Sequence, residues 1–483
     1  MILLEELFPY AHIIYNILMV LYVATVLTVI GVVLSENRNP VKSMAWVLVL
    51  ILLPVVGLVI YLIFGRSLKG MMLISRSHLR ELRRMNDFPD AVDQATALTD
   101  DSQQLISLVG KLVGPHLFVG NSIDVFTTGQ DKFEALKRDI RAAREYIHLQ
   151  YFIIENDKTG KELIELLIDK AREGVKVKVL YDYVGSFYMP SHVLKQMRDA
   201  GIEVHPFLKL TLMYFAFRVN WRNHRKIVII DGNIGYVGGM NIADRYVCGD
   251  RKWSPWRDTH LRIVGEAVAA MQYSFAIDWD FTTRDLLTST TMHYEEPPAR
   301  PDYMLQMMGS GPTNRWNNIS FVFLKAITLA KHCVYIQTPY FLPSDSLLKA
   351  LQSAGLAGVD VRLMIPRQSD STMLRLATGS YLKECLLSGI KIYLYEPTIM
   401  HAKVVIIDDE FVTMGSTNFD FRSFEHNFEF NALVYSREFN QKMKDIFESD
   451  MEQCTRLLLS KWKKRPLLQK ALESVVRLIS PIL

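Results

Sequence analysis

Residues 223–241 read NHRKIVIIDGNIGYVGGMN, and residues 400–418 read MHAKVVIIDDEFVTMGSTN. In both stretches a histidine precedes a lysine by two positions, an aspartate by seven, a glycine by fourteen and an asparagine by seventeen. The first set is His224, Lys226, Asp231, Gly238 and Asn241; the second is His401, Lys403, Asp408, Gly415 and Asn418. One H-x-K-x4-D pattern is a weak motif on its own. Two copies with matching glycine and asparagine offsets are a strong one.

The spacing has a physical meaning. IVII and VVII read as buried strands, and residues two apart on a strand face the same side, so each histidine projects together with its lysine. Asp231, Gly232 and Asn233 are turn chemistry that sends the chain back as a second strand. Gly238 and Gly239 permit close backbone approach, and Asn241 then reaches the same rim. An imidazole, an ammonium and an amide suit a tetrahedral phosphate as nucleophile, neutralising charge and oxygen clamp. Asp231 and Asp408 fall at strand ends, where aspartate more often orders a turn than moves a proton.

The duplication extends outward from these blocks. YIHLQYFIIEND (146–157) matches VYIQTPYFLPSD (334–345), which aligns Gln150 with Gln337. EGVKVKVLYD (173–182) matches AGVDVRLMIP (357–366), and LKQMRDAGIEVHPF (194–207) matches LKECLLSGIKIYLY (382–395). Each unit alternates apolar, β-rich runs with helical stretches that end at glycine, which predicts an α/β sandwich in each half. A period this long fits a duplicated domain rather than a solenoid.

The chain has 483 residues, too many for one ordinary domain. Lys+Arg 55 against Asp+Glu 51 leaves +4, too little to expect nucleic acid as a partner. The four cysteines, Cys248, Cys333, Cys385 and Cys454, lie far apart, against a disulfide framework or a Cys-rich zinc site. The ten histidines outside the motif have no metal-ligand spacing, so neither a metal nor another cofactor is expected.

Residues 13–34 and 43–65 are apolar runs of 22 and 23 residues without a charge, each long enough to cross a bilayer as a helix. A cleaved signal peptide fits the first poorly, because Glu5 and Glu6 precede it and a second run follows. The loop between the runs holds Arg38 and Lys42, whereas Arg66, Lys69, Arg76, Arg80, Arg83 and Arg84 follow the second. That asymmetry predicts a multi-pass anchor with both termini and the globular part in the cytoplasm. The expected organisation is an anchor (1–65), a basic juxtamembrane segment and linker (66–105), and two lobes (106–295 and 296–483).

The paired motifs resemble the phospholipase D superfamily, whose mark is a duplicated H-x-K-x4-D. Together with the two leading runs, nearly the whole chain is similar to the bacterial cardiolipin synthases of that superfamily. ENRNPVKSMAWVLVLILLP and RNHRKIVIIDGNIGYVGGMNIADRY carry the likeness most strongly. The resemblance implies a transmembrane two-helix hairpin followed by two α/β sandwich lobes related by a pseudo-twofold axis, with the site between them. It implies a catalytic set of His224, Lys226, Asp231, His401, Lys403 and Asp408, with phosphate held by Asn241, Asn418, Lys226 and Lys403. His224 is then the nucleophile and His401 the general acid/base, in a metal-independent, two-step phosphatidyl transfer. Each histidine is expected to be oriented by a carboxylate some thirty residues downstream, at Asp258 and Glu429. The implied substrates are phosphatidylglycerol and its product cardiolipin, in a bacterial cell membrane.

Other outcomes use the same residues. Water as acceptor would make the protein a phospholipase D, and an inactive scaffold would not need both motifs intact. Homo-oligomerisation is left open by the sequence. Ser416, which stands where the first copy has Gly239, is a candidate extra phosphate donor. The apolar insert at 208–222 is read either as a lipid-facing rim or as an extra wall of the core. RPLLQKALESVVRLISPIL, near the C-terminus, spaces Leu468, Leu472, Val475 and Ile479 as an amphipathic helix that lies on a bilayer or packs on the lobes.

Overall fold

The computed structural model describes residues 11–35, 40–65, 69–85, 92–114, 116–209, 220–287 and 302–480. The chain divides into two compact units, residues 1–67 with 210–220, and residues 68–209 with 221–483.

In the first unit, Ala11–Ser35 is a single helix. Within it, His12–Leu34 is the one stretch among the described residues that is long and apolar enough to cross a membrane. The second apolar run differs from the single span expected. Pro40–Leu52 is helical, Leu53 leaves helical geometry, Pro54–Ile60 resumes, and Tyr61–Gly65 forms a π-helical turn. Pro54 is the reason: a proline has no N–H to donate into the turn before it, so a helix restarts there. Val33, Leu50 and Tyr61 pack these helices together.

The second unit is built on one mixed sheet. Its first half supplies β1 (Phe118–Phe126), β2 (Tyr146–Tyr151), β3 (Lys176–Asp182), β4 (Glu203–Phe207), a short β5 (Arg222–Asn223), β6 (Lys226–Ile230), β7 (Ile234–Gly238) and β8 (His260–Val264). The second half repeats the scheme with β9 (Tyr303–Ser310), β10 (Cys333–Gln337), β12 (Asp360–Pro366), β13 (Lys391–Tyr395), β14 (Val404–Ile407), β15 (Phe411–Gly415), β17 (Asn427–Tyr435) and β18 (Cys454–Leu457), while β11 (Phe341–Leu342) and β16 (Phe419–Asp420) pair with each other in a small separate sheet. Strands β2, β3 and β4 are parallel, as are β10, β12 and β13. The motif strands β6 and β14 run antiparallel beside β2 and β10.

The two halves are not separate sheets. β9 pairs antiparallel with both β1 and β17, so one sheet runs from β18 in the second lobe to β4 in the first. Joining the lobes this way leaves neither β1 nor β9 as an exposed edge with unpaired backbone groups.

The IVII and VVII runs are apolar throughout because both faces of the sheet are covered. Ile227, Ile229, Val404 and Ile406 share one core beneath both lobes. Helices Val268–Thr283 and Arg437–Glu452 lie on that side, through Met271, Phe275, Phe439 and Phe447. Val228 and Ile230 belong to a separate core in the first lobe, and Val405 and Ile407 to another in the second.

The segment expected as a linker is partly structured. Of residues 86–104, positions 86–91 lie outside the described residues, and Val92–Ala97 is a short 3-10 helix. Asp100–Val113 is a helix capped by the Thr99 hydroxyl, and it buries Leu105, Ile106 and Val109 in the core of the second lobe. Its apolar residues recur at helical spacing, a signal masked by the acidic residues of its first turn. The basic helix Arg76–Met85 places Leu82 in the shared core, and His78 meets Asp280 at 3.0 Å. Most of the 208–222 insert, residues 210–219, falls outside the described residues.

Candidate active site

His224 and His401 lie at the amino ends of β6 and β14. Because these strands oppose their parallel neighbours, that is also the carboxyl-end rim of β2, β3, β10 and β12. Open α/β sheets gather ligand-binding groups at this rim. Asp231 and Asp408 stand at the opposite ends of the strands.

The two lobes meet in a reciprocal pair of backbone contacts. β5 pairs with β17, and the His224 N–H donates to the Phe428 carbonyl at 2.9 Å. Arg257 bridges Met400, and the His401 N–H donates to the Arg257 carbonyl at 2.7 Å. In each case the accepting residue immediately precedes a carboxylate.

That carboxylate reaches the histidine. Both oxygens of Glu429 lie 3.0 Å from His224 Nδ1, and Asp258 Oδ2 lies 2.5 Å from His401 Nδ1. The pairing therefore crosses between repeats: the carboxylate downstream of each histidine serves the other lobe's histidine. Glu429, on β17, and Asp258, two residues before β8, each stand beside the partner lobe and away from their own motif. An ionised carboxylate only accepts, so each Nδ1 carries a proton. Each Nε2 is thereby left to attack as a lone pair or to carry a second proton.

The lysines sit beneath the imidazoles, both buried. Lys226 Nζ donates to the His224 carbonyl at 2.6 Å, and Lys403 Nζ donates to the His401 carbonyl. Lys403 Nζ also lies 2.8 Å from His401 Nδ1 and 3.8 Å from Asp258. Burial draws Lys226 down to about 7 and Lys403 down to about 8, with the two carboxylates opposing it. Burial also lowers His224, against Glu429 and with Lys226, and it lowers His401 with Lys403 reinforcing the effect. Burial alone would raise Asp258 and Glu429. The lysine and histidine facing each one outweigh that, and both stay below the ordinary carboxylate range.

Asp231 and Asp408 have a different geometry. Each has a positive φ, 50° and 47°. Asp231 accepts the N–H groups of Arg144, Glu145 and Tyr146 at 2.8–2.9 Å, and Asp408 accepts those of Lys331, His332 and Cys333 at 2.7–2.9 Å. These carboxylates fix the start of β2 and β10, a strand's length from the imidazoles. In this geometry both carboxylates are engaged by backbone amides and not by the imidazoles.

The two amides differ. Asn241 Oδ1 accepts from the Ile153 N–H at 3.2 Å, and its Nδ2 donates to the Tyr246 hydroxyl at 3.0 Å. Asn418 Oδ1 is buried without a hydrogen bond. Ser416 does not point to a free phosphate position; its hydroxyl donates to Glu429 Oε2. At the matching position a Cβ on Gly239 would collide with the Asp258 carboxylate. This glycine–serine difference between the two motifs thus follows the carboxylate: the shorter Asp258 needs glycine beside it, and Glu429 takes a serine donor.

Several neighbours escaped the sequence reading. The Tyr246 hydroxyl lies 3.5 Å from His401 Nδ1, the Trp256 ring centroid 5.3 Å from that imidazole, and the Phe152 ring 5.0 Å from His224. Behind the site, Gln150 and Asn223 donate to Asp278 at 2.5 and 3.0 Å, and Arg225 forms an ion pair with it. In the second lobe Gln337 donates to Asp450 at 2.8 Å, and Arg257 grips the same carboxylate at 2.9 and 2.6 Å. The repeated Gln150 and Gln337 were the available signal, since a buried glutamine in each copy calls for a partner. A 690 Å³ cavity lined by Arg225, Asp278, Tyr273 and Phe428 lies behind this network and includes neither imidazole.

Comparison with known proteins matches this architecture. The family described as cardiolipin synthase, PLD-like domain, covers residues 136–264 and 323–451, and a phospholipase D-nuclease N-terminal family covers residues 20–66. The major cardiolipin synthase of Bacillus subtilis (strain 168) is 38% identical over 478 residues, 97% of this chain and 99% of that protein. The chain belongs to the cardiolipin synthase family of phospholipase D-like phosphatidyltransferases. A cardiolipin synthase of Listeria monocytogenes serotype 4b (strain CLIP80459) is 37% identical over 480 residues, 97% of this chain and 99% of its own. Among solved structures, a phosphatidylserine synthase from Haemophilus influenzae Rd KW20 shares the fold, with TM-score 0.57 and 14% identity over 84% of this chain and 100% of that one.

Two tests follow from the geometry. Asp231→Asn and Asp408→Asn should lower the melting temperature, because charge-assisted bonds to three amides contribute about 1.5–3 kcal/mol each. The folded fraction should keep near-wild-type kcat. A loss of kcat equal to that of His401→Ala would return these residues to the chemistry.

The pH profile of kcat/KM reports the free enzyme. His224, lowered below 6.5, stays neutral into acid, whereas His401 must be protonated for the first step and is drawn down to about 4, so kcat/KM should be highest in acid and decline as the pH rises above that value. Lys226 and Lys403, at about 7 and about 8, lose their charge as the pH rises further, so the decline should steepen between those values. A profile flat through that window would mean that charged lysines are not required.

Proposed function

We propose that this chain joins two phosphatidylglycerol molecules into cardiolipin and releases glycerol. The observation that carries the reading is the crossed pair of buried histidines, each with its Nδ1 held by the opposite lobe's carboxylate. Nε2 of His224 attacks the phosphodiester, a P–N bond forms, and the bond to the glycerol oxygen breaks. His401, whose proton affinity rises when the anionic phosphodiester enters beside it, acts in this step as the imidazolium and gives its Nε2 proton to the departing alcohol. A hydroxyl of a second phosphatidylglycerol then returns a proton to His401 as its oxygen attacks phosphorus, and the P–N bond breaks. Glu429 and Asp258 stabilise the positive charge that each imidazole carries in turn.

Lys226 and Lys403 supply positive charge to the phosphate oxygens, with Asn241 and Asn418 as amide donors within reach. Such groups make a divalent ion unnecessary. The burial that lowers the lysines also suits them to bind an anion. An entering phosphodiester restores their full charge, so they strengthen as substrate binds.

The membrane completes the reading. We take residues 13–34 and 43–65 as a hairpin in a bacterial cell membrane, multi-pass, with both lobes (106–295 and 296–483) on the cytoplasmic side of the juxtamembrane segment (66–105). The support is six basic residues after the second run against two between the runs. Lobes held at the bilayer meet phosphatidylglycerol at high local concentration, which favours a lipid alcohol over water as acceptor.

Purified protein incubated with phosphatidylglycerol should give cardiolipin and glycerol with EDTA present. His224→Ala and His401→Ala should each abolish turnover without unfolding, and rapid quenching of wild type should trap lipid phosphate on His224. Phosphatidic acid as the main product would make the protein a hydrolase. Phosphate trapped on His401 would exchange the two roles.

A reporter fused after Leu483 should be active in the cytoplasm. Activity only outside it would reverse the topology.

A further inference from the structure

The helix Leu467–Ile479 is docked by its polar side. Glu473 is 2% exposed and accepts from Arg465 at 2.9 Å and from Gln469 at 2.8 Å. Arg477 bonds Glu384 at 2.7 Å and lies over the Tyr381 ring, and the Ser480 and Tyr381 hydroxyls are 3.1 Å apart. Glu473 also lies so close to Gly379 that a Cβ there would stand 3.0 Å from its Oε1. These contacts fix the helix against Thr372–Leu387. Its apolar stripe therefore faces away from the protein: Leu468 is 72% exposed, Val475 60% and Leu478 81%, with Leu472 on the same line. Positions 468, 472, 475 and 478 recur at the i, i+4, i+7 spacing of one helix face. A surface helix of a globular protein normally does the reverse and buries that face.

What surrounds the stripe decides its occupant. Lys461, Lys463 and Lys464 are exposed immediately before the helix. A 390 Å³ cleft between this helix and Thr372–Leu387 adds Lys383, Lys470 and Arg477 to its lining. A twofold contact with a second copy would bring this basic rim against itself. Anionic phospholipid headgroups would neutralise it while the acyl layer took up the leucines.

We propose that Leu467–Ile479 is a second membrane contact: an interfacial helix that lies in the plane of an anionic bilayer with Leu468, Leu472, Val475 and Leu478 in the acyl region and the lysines among the headgroups. It is independent of the catalytic assignment and of the N-terminal anchor. Two attachments on one chain raise each other's effective concentration.

The test uses the full chain with the exposed Cys248 and the half-buried Cys454 replaced by serine, leaving only the buried Cys333 and Cys385 as native thiols. Single cysteines are placed by Leu468→Cys, Val475→Cys and, as a control on the exposed face of Arg437–Glu452, Lys442→Cys. Each is labelled with an environment-sensitive fluorophore and reconstituted into phosphatidylcholine vesicles with or without phosphatidylglycerol. Leu468 and Val475 are exposed, so neither substitution disturbs the core. Labels at 468 and 475 should shift to the blue and be quenched by lipids brominated near the glycerol end of the chain. Those lipids should quench more than lipids brominated at the methyl end, as expected for a depth of roughly 5–10 Å. Both effects should grow with phosphatidylglycerol, and the label at 442 should show neither. Labels at 468 and 475 that behave like 442 would overturn the proposal. Efficient cross-linking of Leu468→Cys copies to one another without lipid quenching would overturn it in favour of self-association.

Discussion

Everything at the centre of this molecule depends on a carboxylate crossing from one lobe to the other. Glu429 and Asp258 are buried, and an isolated buried carboxylate costs several kcal/mol. Each is stabilised by a histidine and lysine that its own lobe does not fully provide. Asp258 has both His401 and Lys403 of the second lobe, and Glu429 has both His224 and Lys226 of the first. A single lobe would therefore bury an uncompensated charge and also leave its imidazole free to rotate. The continuous sheet through β9 and the two contacts His224–Phe428 and His401–Arg257 are what this exchange requires of the fold.

The exchange is reciprocal without being identical, which matters for a reaction in two unlike steps. His224 faces a longer carboxylate that is also bound by Ser416 and Asn427, so the negative charge available to it is shared. His401 faces a shorter one at 2.5 Å, with a lysine amine and a tyrosine hydroxyl close to the same nitrogen. Two imidazoles in different fields need not have the same proton affinity, and a nucleophile and a general acid do not want the same one. The glycine–serine difference in the motif is the sequence trace of that asymmetry.

Much of this could be read from the chain alone. The β-rich units and the paired motif were visible because strands buried on both faces leave uninterrupted apolar runs, and because duplication makes small offsets significant; both carboxylates came only from the resemblance to the phospholipase D superfamily. The pairing of those carboxylates was not visible, since a downstream position in sequence says nothing about which lobe it faces. The roles of Asp231 and Asp408 were only half visible: a turn at the end of a strand was predicted, but three convergent backbone amides arise from the fold. The break at Pro54 was in plain sight, yet hydropathy averages over it. The direction of Leu467–Ile479 was hidden for a related reason, because periodicity identifies an apolar face without saying what it meets.

The network behind the histidines explains why such a site can be built at the meeting of two lobes at all. The loop bearing His224 continues into Arg225, and the loop bearing Asp258 begins with Arg257. These arginines clamp Asp278 and Asp450, each of which is also held by the repeated glutamine of β2 or β10. Asp278 lies on the helix Val268–Thr283 and Asp450 on Arg437–Glu452, the two helices that cover the shared core. A shift of either lobe thus strains a buried ion pair before it moves an imidazole. In-line transfer at phosphorus loses its advantage with displacements of about 1 Å, so rigidity at this point is part of the chemistry. The membrane contact proposed for Leu467–Ile479 lies apart from these clamps. That helix packs on Thr372–Leu387 and touches neither ion pair, so adaptation to a fluctuating bilayer there leaves the clamps beneath the sheet undisturbed.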